Sequence, residues 1–309
     1  MKTAFVFPGQ GSQFVGMGKD FYEKSQTARD IINLSNHILN FDIKRIIFEG
    51  PEEKLKLTEN TQPAIFLISY AMFSCIQEKI SDEKDIFVAG HSLGEYTALS
   101  SAKSIPFEQC LKIVRKRGEL MQKAVSGVES KMTAIIGLKY TEVENIITNF
   151  ENVWIANINE EQQIVISGKA ESVILASEEL KKRGAKTLEL RVSAPFHCPL
   201  MEPAKKNLEN DILTCDIKEP IFNFLSAHTA SKEVSPNNIK NILINGIAEP
   251  VLWYQCVLKM KEYGVDQFVE VGPGKVLSGL IRRILKDDKK NKISNIEKYE
   301  DVQRFNPLK

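Results

Sequence analysis

The sequence has 309 residues, of which 43% are hydrophobic and 26% are charged, and its formal net charge at pH 7 is +1. This length suits one large core with a smaller subdomain, because single hydrophobic cores stop growing near this size. The near-neutral charge excludes a strongly basic nucleic-acid-binding protein. Five cysteines without a CxxC pair argue against a disulfide framework or a zinc site and indicate a reducing compartment.

The N-terminal segment MKTAFVFPGQGSQ begins like a strand and lacks the charged-then-apolar leader of a signal peptide. No apolar run approaches the length of a membrane-spanning helix. We therefore expect a cytoplasmic protein that does not contact membranes. Nothing in the sequence requires an oligomer, so a monomer is expected.

The N-terminal part of the chain alternates short apolar strands with helical patterns. Strands are predicted at residues 3–7 and 85–89, and helices from about residue 15 and at 63–80, 94–102 and 107–125. Strands that alternate with helices predict a parallel α/β sheet.

The pattern changes near residue 127. Strands are predicted at 132–138, 153–158, 163–168 and 186–192, with helices at 141–150 and 170–183. This β-α-β-β-α-β order is typical of a ferredoxin-like unit. We therefore predict a ferredoxin-like subdomain over residues 127–195, inserted into an α/β core formed by residues 1–126 and 196–309.

The α/β pattern resumes after Pro195. Strands are predicted at 222–226 and 267–271, and helices at 253–263 and 275–285. The tail from Lys286 is highly charged and poorly periodic, so no element is predicted there.

The segment FVAGHSLGEY places Ser92 between Gly90 and Gly94, after a predicted strand and before a predicted helix. This is the context that a nucleophile elbow requires. Small neighbours permit the sharp turn, and the helix N-terminus directs N–H groups towards a developing oxyanion, with Leu93 N–H as the first donor. The alternative is an ordinary strand-to-helix turn with a serine cap, because such pentapeptides also occur by chance.

A serine nucleophile needs a base, and the chain offers four histidines. His91 is adjacent to the serine and is expected to point away from it, and His37 is expected on a polar helix surface. His197 lies in the proline-stiffened segment SAPFHCP, where the predicted subdomain rejoins the core. His228 follows a predicted strand. The residues alone favour His197 over His228 without excluding the latter.

Arg117 stands on the predicted helix 107–125, three residues after Val114 and four before Met121. That spacing places it on or beside the inward face of the helix. A buried guanidinium needs a paired anion. The partner is either an internal Asp or Glu or the carboxylate of a substrate, held by two hydrogen bonds.

Together these segments resemble the malonyl-CoA:acyl-carrier-protein transacylase family over nearly the whole chain. The resemblance is carried by FVFPGQGSQ at 5–13, TQPAIF at 61–66, GHSLGEY at 90–96, RKRGELMQ at 115–122, APFHCPLM at 194–201 and EVGPGKVLSGL at 270–280. The family fold is an α/β-hydrolase-like core with a ferredoxin-like subdomain, which agrees with the predicted order of elements.

The resemblance implies that Ser92 carries the acyl group and that His197 is its base. It also implies that the backbone N–H groups of Gln10 and Leu93 form the oxyanion hole. Arg117 is implied to bind the malonyl carboxylate.

Three places depart from the family pattern, and one of them is the segment 157–163, which lacks the proline usual there. Gly246 stands where members often have a glutamine whose backbone carbonyl orients the histidine, so that role is implied for Gly246. His228 stands where an asparagine–valine pair is more typical. The segment Pro195-Phe196-His197 resembles the malonyl-selective form of the specificity loop.

The implied substrate is malonyl-CoA, the implied partner is an acyl carrier protein, and no metal or redox cofactor is expected. Carrier proteins of this kind are typically acidic. Two basic clusters are candidates for docking, with a solvated helix face as an equally good explanation of each: Lys181, Lys182, Arg183 and Lys186, or Arg282, Arg283 and Lys286.

Two other functions compete with acyl transfer. A serine thioesterase or esterase would use Ser92 and His197 but pass the acyl group to water. A non-catalytic scaffold would bind the carrier protein alone. Arg117 on an inward face speaks against a general esterase, and a scaffold would need none of the three residues.

Overall fold

The structure is a computed structural model that describes residues 2–80, 85–124, 127–190, 192, 194–288 and 290–306. Its strands are β1 (Lys2–Phe7), β2 (Ile86–Gly90), β3 (Ser130–Ile136), β4 (Val153–Glu160), β5 (Gln163–Lys169), β6 (Lys186–Glu189), β7 (Asn223–Ser226), β8 (Ser231–Glu233), β9 (Val265–Val271) and β10 (Lys292–Ile296).

The α-helices are α1 (Lys19–Lys24), α2 (Gln26–Leu39), α3 (Ile43–Glu49), α4 (Glu52–Lys56), α5 (Thr58–Ser74), α6 (Gly94–Ser101), α7 (Phe107–Lys123), α8 (Tyr140–Ile147), α9 (Ala170–Lys182), α10 (Glu202–Thr214), α11 (Pro236–Asn245), α12 (Trp253–Glu262), α13 (Val276–Ile284) and α14 (Tyr299–Arg304). Short 3₁₀ helices occupy Gln77–Ile80 and Pro199–Met201.

The larger sheet has six strands in the order β10-β9-β1-β2-β7-β8. Neighbouring strands are parallel except for the β7–β8 pair. Phe5 and Phe7 of β1 pack against the helical layer that contains α5, whereas Ala4 and Val6 pack against α12 and α13. Helices on both faces explain the continuous apolar run of this central strand. The prediction of a parallel α/β core is confirmed.

The smaller sheet is antiparallel, with the strand order β4-β5-β3-β6. Helices α8 and α9 cover one face, where Val143 and Leu180 pack against Ile135 and Ile164. This is the ferredoxin-like arrangement that the element order predicts. The boundaries predicted at 126/127 and 195/196 both remain predictions. Residue 126 also lies outside the described residues.

Helix α5 begins at Thr58, earlier than the start predicted at residue 63, and contains Pro63 inside it. A proline cannot donate to the carbonyl four residues before it, so the carbonyl of Glu59 loses its helical partner. Arg115 of α7 supplies the missing donor, with Nη1 2.7 Å from Glu59 O. A proline in the sequence predicts the first turn of a helix, but here it lies inside one. The hydrogen bond from Arg115 satisfies the Glu59 carbonyl that the proline leaves without a helical donor.

The charged tail is structured, contrary to the prediction from the sequence. β10 pairs in parallel with β9, and α14 follows it. Only Ile296 of β10 is buried, because an edge strand is held by main-chain hydrogen bonds and can be polar on both faces. Helix α7 ends at Lys123, and Val125, the last residue predicted in it, lies outside the described residues.

Candidate active site

Ser92 sits in a strained elbow at the end of β2. Its φ angle is +53°, in the left-handed region that non-glycine residues rarely adopt. A Cβ on Gly90 would lie 1.9 Å from the carbonyl carbon of Gly94, and one on Gly94 would lie 2.1 Å from the Phe7 oxygen. Both glycines are therefore required for α6 to start directly against β1 and β2. The serine hydroxyl is held where the carboxyl ends of the parallel strands meet.

The main-chain N–H groups predicted to bind an oxyanion lie at the same place. Gln10 follows β1, Leu93 follows the serine, and both line one cavity with Ser92. Within the described residues, neither N–H group has a hydrogen-bond partner in the chain. The side chain of Gln10 is fixed by donation from Nε2 to Thr58 Oγ1 at 3.2 Å. The turn that carries Gln10 is thereby anchored beside α5.

His197 is 4% exposed and also has a left-handed backbone, with φ of +58°. Its Nδ1 lies 3.0 Å from the carbonyl oxygen of Gly246 and 3.2 Å from that of Glu249. Carbonyl oxygens only accept, so Nδ1 carries the hydrogen and Nε2 keeps a free lone pair. Burial, followed by the charge of Arg117 and the neighbouring His91, lowers the pKa of His197 to about 3. The imidazole is therefore neutral and able to accept a proton at ordinary pH.

Arg117 is 3% exposed, and its guanidinium reaches the serine. Nη2 donates to Ser92 Oγ at 3.1 Å, and Nη1 donates to Gln62 Oε1 at 2.7 Å. The cation also lies 5.5 Å above the ring of Tyr96. Burial lowers the pKa of Arg117, and Tyr96 and Glu95 oppose that effect.

No carboxylate among the described residues lies within ion-pair distance of Arg117. The sequence analysis considered an internal Asp or Glu and a substrate carboxylate as partners for this arginine. The described residues provide no such internal acid. Its Nε is also buried without a hydrogen-bond partner in the described part of the chain. A buried cation whose polar partners are neutral retains the capacity to bind an anion strongly.

One cavity of about 90 Å³ collects these groups. It is lined by Gln10, Gln62, His91, Ser92, Leu93, Arg117, Met121, Met132, Asn157, Leu190, Val192, Phe196 and His197. Gly246 does not line this cavity, but it lines an adjoining one of about 10 Å³ together with Ser92 and Arg117. Within the described residues, no hydrogen bond joins the serine hydroxyl to His197. The serine oxygen accepts from Arg117, which leaves the hydroxyl hydrogen available to the base. Catalytic hydrogen bonds are often long without substrate and shorten only in the complex.

The other histidines have different environments. His37 is exposed on α2. His91 also lines the cavity, and its Nε2 lies 2.9 Å from Asn159 Oδ1, which links the elbow to β4 of the smaller sheet. His228 pairs with Glu249, with 2.9 Å between Nε2 and Oε2. Of the two histidines in the cavity wall, His197 is the one whose Nε2 has no hydrogen-bond partner among the described residues.

Gln62 is the site residue that the sequence reasoning did not single out. It is 2% exposed and lies on α5. Its Oε1 accepts from Arg117, and its Nε2 lies 3.5 Å from the sulfur of Met121, so it contacts α7 at two points. A signal was present, because a glutamine at the start of the apolar stripe of α5 is a buried polar group that needs partners.

Three further observations concern the described residues as a whole. No helix within these ranges combines the length and the apolar character needed to cross a bilayer. All five cysteines are unpaired thiols. No grouping of three or more His, Cys, Asp or Glu side chains in the described ranges is arranged to hold a metal ion.

A strained serine, a neutral buried histidine and a buried arginine without a carboxylate partner are the groups that a serine acyltransferase uses. The family model described as "Acyl transferase domain" matches residues 4–306. The malonyl CoA-acyl carrier protein transacylase of Bacillus subtilis (strain 168) is 41% identical over 304 residues, which cover 97% of this chain and 95% of the relative. The chain therefore belongs to the malonyl CoA-acyl carrier protein transacylase family.

Solved structures agree with this assignment. The malonyl CoA-acyl carrier protein transacylase of Coxiella burnetii superposes with a TM-score of 0.93 at 37% identity, covering 98% of this chain and 96% of that chain. A malonyl-transacylase solved in complex with its type II PKS acyl-carrier protein has a TM-score of 0.93 at 34% identity, with full coverage of both chains (100% and 100%).

Proposed function

We propose that this chain transfers the malonyl group from malonyl-CoA to the phosphopantetheine thiol of an acyl carrier protein, through a malonyl ester on Ser92. The observation that carries the proposal is the contact between Arg117 and Ser92. A buried cation 3.1 Å from a nucleophile hydroxyl suits an acyl group that has its own carboxylate. The family assignment supports the same substrate.

The reaction has two matched halves. His197 Nε2 takes the proton of Ser92 Oγ, and the oxygen attacks the thioester carbonyl. The N–H groups of Gln10 and Leu93 stabilise the resulting oxyanion. The C–S bond breaks, and the CoA thiolate leaves with the proton from His197. In the second half, the carrier-protein thiol gives its proton to His197, attacks the ester and releases Ser92.

Malonyl selectivity follows from the position of Arg117. Its two terminal nitrogens can bind the carboxylate of the acyl group while the carbonyl stays above Ser92. An acetyl group offers nothing to this cation. A general esterase would gain nothing from a buried arginine at the nucleophile, so the arginine favours an acyl group that has its own carboxylate.

The fate of the acyl group is the direct test of this function. We expect intact-protein mass spectrometry to show one malonyl adduct after the protein is mixed with malonyl-CoA. The adduct should persist in buffer and discharge when a carrier protein or pantetheine is added. Immediate release of free malonate would indicate a thioesterase and contradict the proposal, and carrier-protein binding without any adduct would indicate a scaffold.

Replacement of Arg117 by alanine should impair malonyl transfer while leaving acetyl transfer nearly unchanged. Loss of a charge-assisted pair costs about 1.5–3 kcal/mol, which corresponds to a rate loss of roughly one to two orders of magnitude. The measurement is the rate of Ser92 acylation with malonyl-CoA and with acetyl-CoA. Lys116→Ala is the matched control. Lys116 lies on the same helix, and its charge pairs with Asp211 outside the cavity. Equal losses for both substrates would argue against the carboxylate role.

Carrier-protein docking, the absence of a metal or redox cofactor, the monomeric state and the cytoplasmic location remain predictions. For docking, the cluster on α9 is the better candidate. Lys182 and Arg183 are exposed and share one partner, Glu179, at 3.1 and 3.8 Å. Arg283 of the second cluster donates from Nε to both carboxylate oxygens of Glu160, at 3.0 and 3.1 Å, and so ties α13 to β4.

A further inference from the structure

The orientation of His197 depends on a loop and not on an acidic side chain. Both acceptors of its Nδ1 are main-chain carbonyls, those of Gly246 and Glu249. They belong to residues 246–250, which follow the last residue of α11. The direction in which Nε2 points is therefore set by whatever holds this loop in place.

Main-chain hydrogen bonds fix the ends of the loop. At one end, Gly246 N–H donates to Ile242 O at 2.8 Å and continues the last turn of α11. Just beyond the other end, Val251 N–H donates to Ala156 O of β4 at 2.9 Å. Within the loop, the N–H groups of Ala248 and Glu249 both donate to Asn245 O, at 3.0 and 3.1 Å. None of these bonds involves the side chain of Glu249 or the carbonyl of Pro250.

The side chain of His228 reaches this middle part of the loop. Its Nε2 is 2.9 Å from Glu249 Oε2, and its Nδ1 is 3.4 Å from Pro250 O. Its ring lies beside Gly246, where an added Cβ would be 3.7 Å from Cγ of His228. His228 thus contacts one of the two residues whose carbonyls hold His197 and lies next to the other. Its side chain is only 11% exposed.

Glu249 makes one contact through its main chain and another through its side chain. Its carbonyl accepts from Nδ1 of His197, while its carboxylate faces Nε2 of His228. A carboxylate and a carbonyl are both acceptors, so a ring nitrogen of His228 that carries a hydrogen donates to the acceptor that it faces. The Glu249 side chain is 48% exposed, so solvent screens the attraction and the contact acts chiefly through geometry.

His228 is itself positioned from the nucleophile side. Its N–H lies 3.0 Å from Ser226 Oγ and 3.4 Å from Glu95 Oε1. The same Glu95 oxygen accepts from Ser226 Oγ and from Ala227 N–H, each at 2.8 Å. Glu95 is buried in the first turn of α6, directly after Ser92. One chain of contacts therefore runs from the nucleophile helix through His228 to the loop that aligns the base.

We propose that His228 is a positioning residue for the general base: it holds Glu249 and Pro250 so that the loop carbonyls stay aligned on Nδ1 of His197. The inference rests on the proposed function, because it takes His197 as the base. It predicts an effect on the chemical step and not on substrate binding. His228 does not line the cavity of about 90 Å³. Together with Ser92 and Arg117 it lines an adjoining cavity of about 10 Å³, which has room for no more than a water molecule.

The test compares His228→Leu, His228→Gln and Glu249→Ala by their kcat and KM for malonyl transfer. We expect His228→Leu to lower kcat about tenfold with KM changed less than about twofold, the usual cost of one lost hydrogen bond near a base. His228→Gln should stay within about threefold of the parent, because its amide can still donate to the carboxylate. Glu249→Ala should match His228→Leu, and the double variant should be no slower than either.

A double-mutant cycle separates positioning from general stability. In a His197→Ala background, His228→Leu should cause no further loss, because there is no base left to align. The same fold-loss in both backgrounds would assign His228 a merely structural role and overturn the inference. A parent-like kcat in His228→Leu would also overturn it.

Two controls keep the result interpretable. His37→Leu changes an exposed histidine on α2 and should match the parent. If His228→Leu fails to fold, Glu249→Ala tests the same contact through kcat and KM, because the Glu249 side chain is half-exposed. His228→Gln then serves as the conservative comparison. A parent protein that forms no malonyl adduct would defeat the proposed function itself, whereas an active parent with an equally active His228→Leu defeats only this inference.

Discussion

A variant with alanine in place of Ser92 is expected to gain no mass when it is mixed with malonyl-CoA. Among the described residues that line the cavity, Ser92 carries the only hydroxyl, and the others have amide, aliphatic, thioether, aromatic, cationic or imidazole side chains. Transfer to the carrier protein should fall to the background rate. The measurement is intact-protein mass, followed by the appearance of malonyl carrier protein.

Folding of the Ser92→Ala variant must be verified, because alanine would occupy the same left-handed backbone, with φ of +53°. A non-glycine residue in this region costs of order 1–3 kcal/mol, which the parent serine already bears. We therefore expect nearly unchanged thermal unfolding. Ser100→Ala is a matched control on α6, because its buried hydroxyl has no hydrogen-bond partner among the described residues. An adduct that survives in Ser92→Ala would place the acyl group elsewhere and contradict the mechanism.

Replacement of His197 by alanine should slow acylation of Ser92 by about two to four orders of magnitude, the usual contribution of a positioned general base. The parent should show no loss of rate from base protonation between about pH 5 and 8, because the pKa of His197 is lowered to about 3. The base is charged only below that pKa, so any decline must begin at lower pH. The measurement is the single-turnover rate of serine acylation against pH.

The control for His197→Ala is His37→Ala, which removes an exposed histidine. A parent rate that falls with a midpoint near the ordinary histidine pKa, roughly 6.5, would show that the ring is charged in the free enzyme. An unchanged rate in His197→Ala would remove this residue from the mechanism. In either case the two carbonyl contacts at Nδ1 would need another explanation.

The sequence predicts those parts of the fold that have a strong period or a tight steric demand. The smaller sheet was predictable because its strands and helices alternate with clear apolar spacing. The elbow was predictable because Gly90 and Gly94 have no room for a Cβ. By contrast, β10 has a single isoleucine on each face, Ile293 and Ile296, and is held by main-chain pairing with β9, so its apolar spacing gives no clear period.

The site divides in the same way. Ser92 and Arg117 stand in local patterns, a glycine-framed turn and an inward helical face, so each could be chosen from its neighbours. The pairing of His228 with Glu249 could not, because two residues in separate loops meet only after β7 and α11 are placed. Contacts of this kind depend on tertiary geometry, and a single sequence carries no record of them.

The proximity of Arg117 to His197 has a consequence for how the substrate is chosen. In the free protein the guanidinium charge is one cause of the low pKa of the base. A malonyl carboxylate would neutralise that charge at the moment of binding, and the imidazole would then become more basic. An acetyl group would leave the cation uncompensated. The malonyl carboxylate would therefore make His197 a stronger base for the deprotonation of Ser92. Discrimination between malonyl and acetyl groups would then extend from binding into the proton-transfer step.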